Sequence, residues 1–177
     1  MNAARLKLLV TAKKFGEAER LADSMLNQAL KRNDTFGLRS VFSALSSERA
    51  TIQPELDALG VRAAMAGIEI DGETSAALIR VVKAYSAAGN MAKVKECGPK
   101  AVDAAEKELT DDTDPMGILR VAAAHFAAGN TAKAKEFAEN ALSKVDAKNA
   151  GMKRYVEEQA KQYGVELMEL KDPDEKK

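Results

Sequence analysis

The chain has 177 residues, of which 46% are hydrophobic and 31% charged, a size and composition typical of one globular domain. Thirty-three alanines against 11 glycines and 4 prolines favour helices and argue against a sheet-based fold. The 27 basic and 27 acidic residues cancel, so no net charge attracts the chain to nucleic acid.

No apolar run reaches the ~18 residues that a membrane-spanning helix requires. The N-terminal run from Arg5 to Val10 is too short and too charged for the core of a signal peptide. We therefore expect neither a membrane nor a nucleic-acid partner. The lone cysteine, Cys97, excludes an internal disulfide and leaves the cellular compartment open.

Apolar residues recur three and four positions apart along most of the chain, which predicts successive amphipathic helices. We expect helices at about 2–13, 16–32, 35–48, 53–68, 74–88, 91–109, 115–128, 131–146 and 149–163. These form one domain, 1–170, made of four hairpins at about 1–33, 35–70, 74–110 and 115–147 and a capping helix at 149–163. Residues 171–177 contain nothing apolar, so a disordered tail is expected there.

Turn and start signals separate these helices. Gly89-Asn90 and Gly129-Asn130 each predict a left-handed residue followed by a tight reversal. Asp114 before a proline predicts a capped helix start. Thr74 or Ser75 offers the same cap one hairpin earlier, and Pro54 opens another helix.

Two segments of the chain repeat one another. Residues 77–102 and 117–142 are identical at 12 of 26 positions, without a gap, at an offset of 40. Two weaker copies precede them at spacings of 38. A small residue recurs in each second helix, where it would let another helix approach closely. These residues are Ala22, Gly60, Gly98 and Ala138.

This pattern of paired helices, with glycine at the turn and small residues in the second helix, resembles the tetratricopeptide-repeat family. The matching residues are Val82, Tyr85, Gly89, Val94, Gly98 and Ala101 in one copy, and Ala122, His125, Gly129, Ala134, Ala138 and Ala141 in the next. Pro99 departs from the family pattern because it lies inside a second helix. We expect a kink near Lys95 or a compensating contact there.

The resemblance implies a right-handed α-solenoid whose concave first-helix face binds a peptide, or a partner domain of the same parent chain. Packing between hairpins or plain solvent exposure is the alternative role for the residues of that face. Arg80 and Arg120 repeat at one position, where a structural ion pair with a neighbouring helix is favoured over a carboxylate receptor. The residues that would line the face are Ile79, Lys83, Ser86, Leu119, Ala123 and Phe126.

The order of helices also resembles, more weakly, the helical-repeat tail that follows a thioredoxin-like domain in some exported bacterial proteins. It implies a second function, in which the chain is a structural or dimerising C-terminal appendage of a larger redox protein. The N-terminal helix lacks the polar cover that ends an open stack. This agrees with the hypothesis that the chain is the C-terminal portion of a longer protein.

No catalytic, metal or cofactor motif accompanies the repeats. Cys97 and His125 align with Phe137 and Tyr85, so packing is favoured over a nucleophile and base. The acidic run at 111–114 lacks the glycine and distal glutamate of a calcium loop, so a solvated capping loop is favoured. The first-helix face shows no pattern for reading RNA bases. We expect a protein that is not an enzyme and binds no cofactor.

Overall fold

A computed structural model describes residues 2–46, 53–146 and 148–165. Within these ranges the chain forms helices and no strand, which confirms the all-α class. The expected tail at 171–177 lies outside the described residues, as do parts of the second and fourth expected hairpins. The helices are α1 (Asn2–Thr11), α2 (Phe15–Lys31), α3 (Thr35–Leu45), α4 (Pro54–Asp71), α5 (Ser75–Ala87), α6 (Met91–Lys107), α7 (Pro115–Ala127), α8 (Thr131–Ser143) and α9 (Ala150–Gln162).

Side-chain caps begin α3, α5 and α7, as the sequence predicts for the last two. Asp34, Thr74 and Asp114 accept hydrogen bonds from backbone N–H groups three residues later, at 2.9, 3.3 and 2.7 Å. Pro54 and Pro115 are the first residues of α4 and α7, where a missing N–H has no cost. Each cap satisfies an N–H group that the helix itself leaves free.

The reversals between paired helices also follow the predicted pattern. Gly89 and Gly129 have φ angles of 68° and 85°, which glycine adopts without steric strain. The following asparagine N–H groups donate to Tyr85 and His125 carbonyls, at 2.9 and 2.8 Å. The α1–α2 turn instead places Lys13 at φ 58°, a conformation that strains an L side chain.

The helices pack mainly on near neighbours in the sequence. Within each of the four pairs, α1–α2 to α7–α8, the two helices contact each other, and each pair contacts the next through its second helix. First helices also touch, α1 on α3, α5 on α7 and α7 on α9. The buried apolar side chains accordingly form three consecutive clusters, over α1–α5, α5–α7 and α7–α9.

The four recurring small residues, Ala22, Gly60, Gly98 and Ala138, are all buried in second helices. Gly98 shows why a larger side chain is excluded. A Cβ atom added there would lie 3.0 Å from the Cβ and 3.3 Å from the Cα of Ala128, in the α7–α8 turn. The small side chain lets α6 approach the next hairpin closely.

Three details differ from or refine the expected helices. Helix α4 continues to Asp71, beyond the expected end at 68, and α8 stops at Ser143, before 146. Helix α6 runs from Met91 to Lys107 with Pro99 inside it.

Among the described helices, none has the length and apolar content that crossing a bilayer demands.

Candidate functional site

The residues expected to line the first-helix face lie on α5 and α7, which pack against each other. Lys83 and Ser86 are exposed, Ala123 is half-buried, and Phe126 keeps 42% of its surface exposed. We call these four residues the first-helix surface. Ile79 and Leu119 are only 6% and 5% exposed. The expectation that Ile79 and Leu119 lie on an accessible face is therefore wrong.

Packing against neighbouring helices buries Ile79 and Leu119. Ile79 lies in the apolar cluster of α5–α7 and Leu119 in that of α7–α9, so both fill space between packed helices. They precede Lys83 and Ala123 by four residues, so they lie on nearly the same side of the helix but one turn nearer its N-terminus, where neighbouring helices cover them. Ile79 and Leu119 therefore have the packing role that was the alternative prediction from the sequence.

Lys83 has an unusual electrostatic environment for an exposed lysine. Desolvation lowers the pKa of its ammonium group, and no charged neighbour contributes to that shift. Its accessible area shows that water reaches the side chain, while the lowered pKa indicates protein on several sides. No acidic partner of Lys83 occurs within the described ranges.

Phe126 contacts the end of the chain's last described helix. Its ring lies 5.3 Å from the ring of Tyr163, centroid to centroid, at a tilt of 56°. Burial, and to a lesser extent nearby Tyr155, raises the pKa of the Tyr163 phenol. Tyr155 itself is 45% exposed. The first-helix surface therefore adjoins Tyr163 at the end of α9.

Arg80 and Arg120 form the structural ion pairs expected from their repeated position. Arg80 lies 3.4 Å from Asp71, at the end of α4, and Asp71 also pairs with Arg39 at 2.6 Å. Arg120 lies 2.8 Å from Glu108, which follows α6. In both cases the first helix of one hairpin is joined to the end of the preceding hairpin. These arginines are occupied within the chain.

Glu108 also approaches the start of α5. The nearby Ser75 hydroxyl is the largest influence that holds the pKa of the Glu108 carboxyl below its usual value, with a smaller effect from Arg120. Buried Ser75 Oγ nevertheless has no partner with full hydrogen-bond geometry. Glu108 therefore forms a well-defined hydrogen bond with Arg120, whereas the Ser75 hydroxyl lies nearby without forming one.

His125 is buried between hairpins, as its alignment with Tyr85 predicts. Its ring stacks on Phe137 at 5.3 Å, and its Nε2 lies 3.0 Å from Glu106 Oε1. Cys97 is half-buried in the α5–α7 cluster. Nothing pairs these two residues, and the described part of the chain holds no group of three metal-ligating side chains.

A groove opens between α6 and the α7–α8 turn. Its volume is about 500 Å³, within the range of small-ligand pockets. Sequence periodicity did not reveal it, because it depends on the spacing between two hairpins. We call it the α6 groove. It is lined by Val94, Lys95, Pro99, Val102, Asp103, Glu106, Ala128 and Asn130.

The acidic run before α7 has the capping role that the sequence favoured. Asp114 caps α7, and the Asp111 carbonyl accepts a hydrogen bond from Lys144 Nζ at 3.1 Å. Asp111 and Asp112 are exposed.

Comparison of the chain with protein-family models, with curated proteins and with solved structures gives no match.

Proposed function

We propose that this protein is a non-catalytic scaffold whose first-helix surface binds a segment of another polypeptide or of a partner domain. In this proposal the four hairpins and α9 form a right-handed α-solenoid, and the first-helix surface lies on its concave side. Packing of each hairpin mainly on its neighbours, with one apolar cluster following another, supports a stacked arrangement.

The chemistry of the first-helix surface carries the proposal. An exposed cation without an acidic partner in the described chain, Lys83, is on the helix that packs beside the one bearing Phe126. Exposed aromatic side chains are enriched where polypeptides bind, and a lysine without an acidic partner can pair with a carboxylate of the bound segment. Ser86 and Ala123 are short, so a chain segment could approach the helices between them. These features suit a segment that offers an apolar side chain and a carboxylate.

Affinity capture with paired variants tests this function. The double variant Lys83→Glu, Phe126→Ser is compared with Lys100→Glu, Met91→Ser, which makes the same kinds of change at exposed positions of α6. Proteins crosslinked to the wild-type chain in cells are identified by mass spectrometry. We expect the first variant to lose a specific partner that the second retains, with both equally helical by circular dichroism. Equal capture by the two variants would refute the proposal.

The structural-appendage alternative has its own supporting observation. Leu8 on α1 and Phe36 on α3 are 69% and 78% exposed, in the N-terminal part of the fold. Large exposed apolar side chains are common at contacts between subunits or domains. If this region dimerises the chain, Leu8→Lys converts a dimer to a monomer in sedimentation equilibrium. A wild-type monomer at high concentration would remove the dimerising form of this alternative.

A further inference from the structure

The α6 groove combines apolar walls with hydrogen-bond acceptors. Val94, Pro99, Val102 and Ala128 supply the apolar surface. Pro99 has no N–H group, so the carbonyl of Lys95 lacks the hydrogen bond that residue i+4 normally donates in an α-helix. Both residues line the groove. The proline therefore leaves a backbone acceptor without its helical partner on a residue that lines the cavity.

Asn130 provides a second acceptor. Its counterpart Asn90 caps α6, since its Oδ1 accepts from Lys93 N–H at 3.1 Å. Asn130 makes no such side-chain bond at the start of α8. Its carboxamide thus remains available to a ligand in the groove, although the two residues occupy the same repeat position.

Two carboxylates complete the set of acceptors. Glu106 uses Oε1 for His125, at 3.0 Å, and its other oxygen makes no bond of this kind. Asp103 pairs with Lys107 at 2.7 Å, an exposed ion pair of the kind that exchanges readily with water. Lys95 is the single cation among the lining residues. The lining therefore carries two acids and one base, with a formal charge of −1.

We propose that the α6 groove binds the guanidinium group of an arginine side chain from a partner polypeptide. A guanidinium has five N–H donors and no acceptor, which matches several acceptors of different kinds in one cavity. Its methylene stem would lie on the apolar walls. A lysine ammonium has fewer donors and a stronger hydration shell, so it fits this set less well. The site is separate from the first-helix surface.

His125 offers a built-in reporter of binding. It is the only histidine in the chain, so its ring protons give one unambiguous set of signals in a nuclear magnetic resonance spectrum of the untagged 177-residue chain. Because Glu106 contacts both the imidazole and the groove, a cation bound there should move the His125 signals. Backbone amides of Val102, Ala128 and Asn130 should move together with them.

The experiment titrates N-acetyl-arginine methylamide into the protein at constant pH, beside N-acetyl-citrulline methylamide. Citrulline keeps the shape of arginine but is neutral. We expect saturable shifts of His125 and the groove amides with the arginine compound, and little change with the citrulline compound. Equal shifts with both compounds, or none at millimolar concentrations, would overturn the proposal.

Three variants sharpen the test. Glu106→Gln keeps the shape of the side chain and removes its charge, so the Kd for the arginine compound should rise about fivefold. Glu158→Gln makes the same change on α9, outside the groove, and should leave the Kd unchanged. Lys95→Gln removes the competing cation, so the Kd should fall about twofold. An unchanged Kd in Glu106→Gln, with the wild-type fold retained, would also reject the site.

Discussion

The hairpins α5–α6 and α7–α8 share nearly half of their aligned residues, yet they expose different chemistry. Arginine at the repeated position and the glycine turn give both the same connections to their neighbours. On the first-helix surface, Lys83 and Ser86 are replaced by Ala123 and Phe126. The shared residues build the hairpin, and the residues that differ decide what each hairpin can bind.

The second helices carry different small residues at their repeated buried position. In α6 a glycine, Gly98, lies against Ala128, whereas α8 has Ala138 at the same position. Within the α7–α8 hairpin, the rings of His125 and Phe137 stack, whereas α5–α6 has Tyr85 and Cys97 at these two positions. Equivalent positions therefore face different neighbours, which mutations can measure.

The largest effect is expected for Gly98→Leu, because its side chain must displace the backbone of the α7–α8 turn. Overpacking of this kind lowers the free energy of unfolding by about 3 kcal/mol. Gly16→Leu is the matched control, since a Cβ at Gly16 meets nothing within 4 Å. Urea unfolding followed by circular dichroism measures both. Equal stability of the two variants would contradict the close approach of α6.

Removal of the His125 ring should be the next most costly change. His125→Ala loses the stacking on Phe137 and the bond to Glu106, and we expect a loss of about 2 kcal/mol. His125→Phe keeps the ring and should lose about 1 kcal/mol. Thermal unfolding distinguishes them. If His125→Phe were as unstable as His125→Ala, packing would not be the main role of the ring.

The two predicted helix caps allow a direct comparison of the repeated hairpins. Asp114 accepts its capping bond at 2.7 Å and Thr74 at 3.3 Å. We expect Asp114→Ala to lower the free energy of unfolding by about 1 kcal/mol and Thr74→Ala by about 0.5 kcal/mol. Chemical denaturation of the single and double variants measures both losses in the free energy of unfolding. A larger loss for Thr74→Ala would reverse the order that the distances imply.

The strained turn of the first hairpin predicts a gain in stability. Lys13 has the positive φ angle that Gly89 and Gly129 have in the later copies. Lys13→Gly relieves steric strain but adds backbone entropy to the unfolded chain, so we expect a net gain of about 0.5 kcal/mol. Gly129→Ala, the converse change, should be destabilising. A lower melting temperature for Lys13→Gly would indicate that the strain is small.

The smallest effect concerns pH. The pKa of Glu108 is lowered from its ordinary value of 4.5 in the folded protein. Its stabilising contribution is therefore fully present above that value and is lost as the pH falls through the lower folded pKa. Between pH 7 and about pH 3, wild type should lose slightly more stability than Glu108→Gln. A steeper loss in the variant would oppose this sign.

Much of the helical framework was predictable because it depends on local signals. Asp114 before Pro115 and the Gly129-Asn130 pair act through hydrogen bonds within a few residues, so sequence spacing suffices. The burial of Ile79 and Leu119 was harder to predict. Each lies on the apolar stripe of its helix close to its edge, and the contact with the neighbouring helix decides how much surface remains.

The α6 groove shows more clearly what could not be predicted from the sequence. Pro99 signalled a missing hydrogen bond at Lys95 in the sequence, but nothing local indicated that Glu106 would meet His125, 19 residues away. That contact and the cavity arise from the distance and angle between two hairpins. Such distances depend on the sum of many packing contacts across the interface.

The amino-acid sequence alone determined where the helices begin, reverse and repeat, because caps, turns and apolar periodicity act over one or two helical turns. Only the tertiary structure decided which side chains of a stripe stay accessible, that Arg80 and Arg120 bind the ends of preceding hairpins, and that a cavity opens beside Glu106. These features require elements far apart in the chain to meet, and their relative placement is a property of the whole packed molecule.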